Sequence, residues 1–597
     1  MWCLPTYLAD KFLNMIKAGT ISPDKMIDMT SEQRRNFFSE HFGEVNAVQL
    51  NTLLESKLIL KNQQTGMVTW AKKVAGITPE AQRGLVNRVN KMSEVLTPET
   101  EDVFLKDLAA HVLGTTVTME EAGNITTLAK EVADKDELYD REKAVDEEGK
   151  PTKARMDYGR TLVTFDNYVS SVKAIAEHET ISERVVEYLH NPFKFIGDLA
   201  KGIAATSREM RTTLDNSWIG KQGRNLFFKG ITGDFQSGKI WWDTFKKSYK
   251  VIWDTFRGVP VMDEIRAEIL SDPEYDMMKK AKVATAVIEE EAPTDWYKNI
   301  PYLGKPFLAS HNAFTASAHY ARYKTAKYYF NIARKSDIDL NDKVELESIG
   351  KLVNSLTARG EIGAKRQAPG LISNIFFSPR MLKADLDVLT MHKFDKNMSK
   401  FAKKEAAKNL LHIVVAQGLI LGIAYALWPE TVEWDPHSSD FGKIKIGNTR
   451  FDISGGTAAL TRLAVRLVPL LVNKDSYIKS TSTGKLIKLN TGKFGELTGV
   501  DILEDYLENK TAPAANLVLA HLAGHYKYRK DEKISLKGDI RELFEPLPIQ
   551  NFYELINDEN SANILLSIIA DEHGLFVNTY SPVKKGKKIE IKEIIMD

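Results

Sequence analysis

Apolar positions recur at three- and four-residue intervals over most of the chain, the period of a helix with one buried face. Strict apolar–polar alternation is confined to a few short runs. A mainly α protein is therefore predicted, a multi-helix, elongated or multi-lobed helical bundle with more than half of its residues helical. Ser22–Pro23, Thr78–Pro79, Thr97–Pro98 and Ser378–Pro379 each predict a helix start. A hydroxyl supplies the cap there, and proline at the first helical position removes an orphan N–H. With Pro5 and Thr30, these signals divide residues 1–130 into short amphipathic helices. The charged stretch Lys130 to Arg160, broken at Gly149–Pro151, predicts an exposed helix, a loop and a restart, and a helical pattern follows from Tyr158 to Leu189. Further helices are expected over Asp263–Leu270, Pro273–Ile288, Ala309–Lys335, Leu340–Thr357 and Asn374–His392. Strands are expected in Lys443–Ile446 and Arg450–Ile453, a small hairpin about Gly447–Asn448, with others near 477–489 and in the tail.

One stretch departs from the amphipathic pattern. Leu410 to Trp428 carries no charged side chain, and as a helix it would be roughly 28 Å long, close to the hydrocarbon thickness of a bilayer. Its basic flank (Lys396, Lys400, Lys403, Lys404, Lys408) and acidic exit (Glu430, Glu433, Asp435) would place its N-terminal side in the cytoplasm if it spanned. Leu410, Ile413, Val414, Leu419, Ile420, Leu421, Ile423, Leu427 and Trp428 are the candidate membrane or packing residues. A second apolar helix, Thr457–Val472, has Arg462 and Arg466 on one face. Folded back by Trp434–Gly456, it is the expected cover of the first, giving an apolar hairpin over 410–472. His412, Gln417 and the small residues Ala416, Gly418, Gly422, Ala424 and Ala426 fit a fully buried hairpin of a large soluble bundle equally well. At this level both readings stand, and a permanent single-span anchor is the less favoured.

A length of 597 residues admits one to four domains, and 43% hydrophobic with 27% charged residues is the composition of a folded protein. A net charge of +1 excludes a globally basic nucleic-acid binder. The single cysteine, Cys3, excludes an intramolecular disulfide and any zinc site built on several thiolates. The first residues lack the features of a secretory signal, so synthesis in the cytosol is expected. Composition shifts near Asn191, where aromatics, glycine and lysine interleave. The chain then divides into an N-terminal helical region (1–130), a charged linker and long helix (131–190), a large helical region (191–582) and a basic tail (583–597). In the tail Lys584, Lys585, Lys587 and Lys588 offer a weak contact for nucleic acid or anionic lipid.

Enzymatic signals are few. Gly233–Lys239 satisfies the first seven places of a P-loop, but Ile240 stands where the magnesium-binding hydroxyl belongs and no buried apolar strand precedes it. His521 and His525 are spaced one helical turn apart, yet Leu522 replaces the glutamate base of a zincin and Gly524 weakens the helix. Cys3 has nothing near it in sequence to lower its pKa. Tyr320, Tyr323, Tyr328, Tyr329 and Phe330 fall at helical spacing and read as core or interface. No catalytic, metal-ligating or cofactor-binding residue is assigned, and no cofactor is expected.

Several segments resemble a family. NIFFSPRMLKADLDVL, with Ser378, Pro379 and Arg380, is similar to the FFSPR-type helix of a module widespread in bacteriophage and prophage proteins, the large polyvalent protein associated domain. DPHSSDFGKIKIGNTRFDISGG resembles the hairpin of that module, with Asp435, Asp440, Phe441, Gly442, Gly447, Asn448 and Arg450 at its motif positions. TSREMRTTLDNSWIGKQG looks like the segment that opens it, with Lys221 where arginine is usual. KISLKGDIRELFEPLPIQNFYELI and GLFVNTYSP look like its closing helices and tail, so the resemblance covers residues 195 to 582. KLILKNQQTGMVTWAKKVAGI, Lys57 to Ile77, resembles a segment that precedes the module in phage proteins. The resemblance implies a phage protein packaged in the virion and delivered with the genome, and it transfers no catalytic residues. Two classes of function follow. One is a non-enzymatic internal virion or ejected protein that assists genome delivery, its partners being other virion proteins, further copies of itself and the host membrane. The other is a phage-delivered enzyme accessory or counter-defence protein acting on host nucleic acid or cell wall. The expected location is the virion or the host cytoplasm, with the host inner membrane reached on delivery.

Overall fold

The computed structural model describes residues 31–48, 50–51, 116–141, 151–176, 218–285, 304–361, 378–481, 483–491, 496–526, 533–545 and 575–579, with isolated positions in 11–29, 106–113 and 567–570. Several expectations lie outside these residues. They are the helix starts at Pro23, Pro79 and Pro98, the segment Lys57–Ile77, the helical pattern beyond Ala176, Asn374–Phe377 and the tail lysines Lys584, Lys585, Lys587 and Lys588. The chain forms two compact units, residues 1–189 with 263–275, and residues 190–262 with 276–597.

The first unit contains α1 (Ser31–Phe42), α2 (Met119–Arg141) and α3 (Lys153–Ala176). Phe38 and Phe42, one turn apart on α1, meet edge to face beside Met26, Ala47 and Leu50. Thr118 and Glu121 exchange backbone N–H groups in a capping box that starts α2. The segment 263–275 joins this unit by a long-range contact that composition along the chain does not register. Arg160 of α3 holds Glu264 through two hydrogen bonds of 2.9 and 3.0 Å. Gly159 lies against the Ala267 carbonyl so closely that a Cβ would come within 2.3 Å of its oxygen.

In the second unit, a π-turn (Trp218–Gln222) leads into α4 (Arg224–Ile231) and α5 (Phe235–Phe256); the next helix, α6 (Val261–Leu270), belongs to the first unit from Asp263 onward. Gly230 and Gly238 let α4 and α5 cross backbone to backbone, since a Cβ on Gly230 would lie 2.5 Å from the Gly238 Cα. Next come α7 (Tyr275–Lys280), α8 (Gly304–Lys335) and α9 (Lys343–Leu356). The α8 helix buries a face of small residues, Ala309, Ala313, Ala316 and Ala326 among them, against which α5 packs through Ser237, Thr244 and Ser248. Tyr323, Tyr329 and Phe330 are fully buried, as their spacing predicts.

The helix expected over Pro273–Ile288 stops at Lys280. Gly350 of α9 sits on the Ala281 carbonyl, and Asn354 of the same helix bonds the Lys282 carbonyl and the Ala284 N–H, so tertiary contacts replace the next helical turn.

The remaining elements are α10 (Pro379–Leu389), α11 (Lys400–Leu427), β1 (Lys443–Ile446), β2 (Thr449–Asp452), α12 (Thr457–Leu471), β3 (Tyr477–Lys479), β4 (Leu486–Lys488), α13 (Gly499–Glu508), α14 (Pro513–Ala523), α15 (Leu536–Phe544) and β5 (Phe576–Thr579). The expected mainly α fold with a small hairpin is what forms. Ser378 precedes Pro379 as predicted, but its hydroxyl makes no capping hydrogen bond. β1 and β2 pair antiparallel about Gly447–Asn448, with Gly447 at φ +61, and β5 returns to pair with β2, making a three-stranded sheet in order β1-β2-β5. β3 and β4 form the second small sheet.

Candidate functional site

The α11 helix has two halves with different partners. Its first turns enter the core through Phe401, Ala402, Glu405, Ala406 and Asn409, all buried. Ser399 starts it, accepting from the Ala402 N–H. Asn409 Oδ1 accepts from Lys229 Nζ of α4 at 2.6 Å and from the Tyr329 hydroxyl of α8 at 2.8 Å. Lys229 Nζ also donates to the Tyr329 oxygen at 2.8 Å and lies 3.1 Å from Asp234 Oδ2. Burial pushes the Lys229 ammonium below its ordinary range, partly opposed by Asp234. Burial would raise the Asp234 carboxyl, but Lys229 beside it and hydrogen bonds from Ser237 and Tyr328 reverse this and hold it below the usual range. These groups tie α4, α8 and α11 into one rigid block.

The second half, from Leu411 to Trp428, stands largely free. Of its apolar residues only Ile413, Ala416 and Leu421 are buried, packing on Phe228 and Val388 at one end and on Val432 and Ile453 at the other. Leu410 and Ile420 are half-buried, whereas Val414, Leu419, Ile423, Leu427 and Trp428 are exposed, with Ile423 at 61% and Trp428 at 63%. Only 17% of its most apolar 18-residue window is buried, and among the described residues it is the one helix long and apolar enough to cross a membrane. Gly418 and Gly422 face open space, with nothing within 4 Å of where a Cβ would be.

This corrects two expectations. The stretch is not a fully buried hairpin, and Thr457–Val472 does not cover it. That second helix ends at Leu471 and directs Leu463, Leu467 and Leu470 at Ile478, Leu489, Leu497 and Ile502 instead. Its arginines hold it there, since Arg462 donates to the Phe441 carbonyl at 3.1 Å and Arg466 to the His437 carbonyl at 2.8 Å. A long hydrogen bond, Gln417 to Thr457 at 3.4 Å, links α12 to α11.

The hairpin residues singled out in the sequence have structural roles. Arg450 binds Asp440 at 3.0 Å, with Lys443 3.7 Å from the same carboxylate, and all three are at most 12% exposed at the side chain. Burial pushes Lys443 below its ordinary range, and the neighbouring Arg462 adds to this. Asp435 accepts from the backbone and ring of His437, Gly442 takes a positive φ after Phe441, and Gly447 with Asn448 makes the turn. The Arg380 carbonyl accepts from Gly360 N–H. A buried residue unremarked in the sequence joins the motifs. Arg224 pairs with Asp385 of α10 at 2.5 Å and donates to the carbonyls of Lys221 and Gly455, each at 2.9 Å. Nothing in the pattern distinguishes it from the other cations, because its partners lie 161 and 231 residues away.

The remaining candidates separate. In Gly233–Lys239 the Asp234 carboxylate accepts the Ser237 N–H at the helix N-terminus, where a P-loop holds phosphate, and Lys239 is exposed and paired with Asp243. Millimolar Mg-ATP should leave the thermal midpoint unchanged, and micromolar affinity abolished by Lys239→Ala would reverse this reading. His521 lies 3.1 Å from Asp539, while Gly524 at φ +78 ends α14, so His525 lies beyond the helix that carries His521, in keeping with the weakening expected from Gly524. Among the described residues no group of three or more His, Cys, Asp or Glu side chains converges as a metal site. No protein family, curated protein or solved structure matches this chain.

Proposed function

We propose that this chain is a non-enzymatic phage protein, carried in the virion and ejected with the genome, whose α11 helix contacts the host membrane during delivery. The observation that carries the reading is the open apolar second half of α11. A solvent-facing apolar surface of that extent marks a place where another phase or molecule docks. The polar block around Lys229 and Asn409 fixes the base of the helix, while Lys404 at its basic end and Glu430 beyond its acidic end are exposed. That polarity suits entry of the C-terminal end into a bilayer with the basic end left in the cytoplasm. The sequence resemblance to the large polyvalent protein associated domain supports the phage setting.

The test separates α11's two faces. Gly418→Asp places charge in open space and should leave the folded protein's stability unchanged. It should also suppress dye release from vesicles, because a carboxylate at the centre of a spanning helix costs about 2.5–3.5 kcal/mol of insertion. Ile420→Asp strikes the packed face and should cost at least about 2 kcal/mol of stability. Unaltered dye release by Gly418→Asp, together with loss of self-association in sedimentation, would reassign the helix to subunit contacts and sink the membrane reading.

A further inference from the structure

A second surface of the same unit carries its own signature. Phe235, Trp242, Tyr249 and Phe256 recur every seven residues along α5, a spacing that drifts only about 20° per step on a helix, and Trp253 falls beside them. All five are exposed, Phe235 at 82% and Trp253 at 66%. Core packing does not account for them, because α5 buries the opposite face, Ser237, Ile240, Thr244, Ser248 and Val251. The positions between the aromatics on the open face are lysines. Lys239, Lys246 and Lys250 have side chains 67%, 56% and 73% exposed. Over residues 235–257 five cations (those three, Lys247 and Arg257) stand against two carboxylates, Asp243 and Asp254. That leaves a local charge of +3, in a chain whose total is +1.

From this placement we propose that the exposed face of α5 is a peripheral docking surface for an anionic bilayer, lying in the headgroup plane with aromatic rings in the interface and lysines on lipid phosphates. Trp and Tyr suit that depth because each ring is apolar with a polar edge, and lysine stems lie along apolar surface while the ammonium stays in water. Phe227 connects α5 to α11, since its ring lies tilted against Trp241 at 4.9 Å and packs against the cluster containing Ile413 and Ala416. A single-stranded nucleic acid would also be drawn to lysines and aromatics, but it needs open ring faces for its bases. On this face Trp242, at the centre of the stripe, has one ring face taken by Phe245. Trp242 lies on Phe245 at 5.1 Å and 8°, and Trp241 on Phe245 at 5.5 Å and 28°.

The inference deepens the membrane reading and rests on it for its biological setting, but its readout is separate: vesicle flotation reports docking by α5, whereas dye release reports insertion by α11. The full chain is floated with phosphatidylcholine vesicles with and without phosphatidylglycerol. Trp242→Ser/Trp253→Ser should weaken flotation with the anionic vesicles at least about tenfold, with an unchanged melting midpoint because both rings are exposed. Lys239→Gln/Lys246→Gln/Lys250→Gln should erase the preference for anionic over zwitterionic vesicles and its salt dependence. Wild-type flotation undiminished in both variants would overturn the inference while leaving the α11 reading intact, provided that Gly418→Asp still suppresses dye release. Flotation lost in the stripe variants with dye release indifferent to Gly418→Asp would support the inference and overturn the α11 reading. Failure of the wild-type chain to float with any vesicle, or a stripe-dependent complex with oligo(dT) in its place, would overturn the inference.

Discussion

Arg224→Ala should destabilise the second unit by about 3–5 kcal/mol, the loss expected when one partner of a buried ion pair is removed and the other stays behind. The two side chains are 3% and 7% exposed, so solvent cannot replace the guanidinium. Burial already raises the Asp385 carboxyl, opposed mainly by Arg224. Without that opposition it rises further, and the sign of the pH effect follows. A carboxyl with a folded pKa above its unfolded value favours the folded state when protonated, and this advantage is lost as pH rises through the folded pKa. The deficit of Arg224→Ala should therefore deepen as pH is raised from the unfolded value of about 3.8, and Arg224→Ala/Asp385→Asn should recover part of it. Chemical denaturation across pH measures both. A loss below about 1 kcal/mol, flat with pH, would show the pair to be dispensable. The Gly455 carbonyl and the Lys221 carbonyl lose a donor in the same variant, so the turn into α12 should loosen together with α10.

Lys229→Ala should have an effect of similar size, about 3–5 kcal/mol, and a more local consequence. It removes the cation shared by Asp234, Asn409 and Tyr329, and with it the tie between α4 and the base of α11. Hydrogen exchange over 400–410 should rise well before the rest of the unit opens. In the wild-type protein the Asp234 carboxyl lies below its usual range, so its contribution is present above the unfolded value of about 3.8 and is lost as pH falls through the folded one. Acid should thus loosen this block below about pH 4, and Lys229→Ala should shrink that acid-dependent loss, because the main cause holding the carboxyl below its unfolded value has gone while burial still raises it. An acid transition unchanged in the variant would detach Asp234 from the stability of α11.

The hairpin was legible because Gly447–Asn448 between two alternating runs leaves little freedom in turn or register, and the second strand starts only one residue before the expected Arg450. The mainly α class was legible from local periodicity. The helix expected over Pro273–Ile288 was misjudged because its C-terminal half is ended by Gly350 and Asn354, which lie about 70 residues later in the chain. The aromatic face of α5 was visible as interleaved aromatics and lysines, but which of those residues are exposed depends on where α8 packs.

The sequence by itself determined the mainly α class, the hairpin and the existence of a long uncharged helix, since each depends on contacts within a few residues. Only the tertiary structure decided that this helix is anchored at its base and open beyond it, that Thr457–Leu471 turns to the β3–β4 and α13 side, and that Arg224 and Lys229 hold the unit together. The physical reason is that α11 is apolar on every side from Leu410 onward. Its periodicity carries no information about which face is buried, and that choice falls to partners brought in from distant parts of the chain.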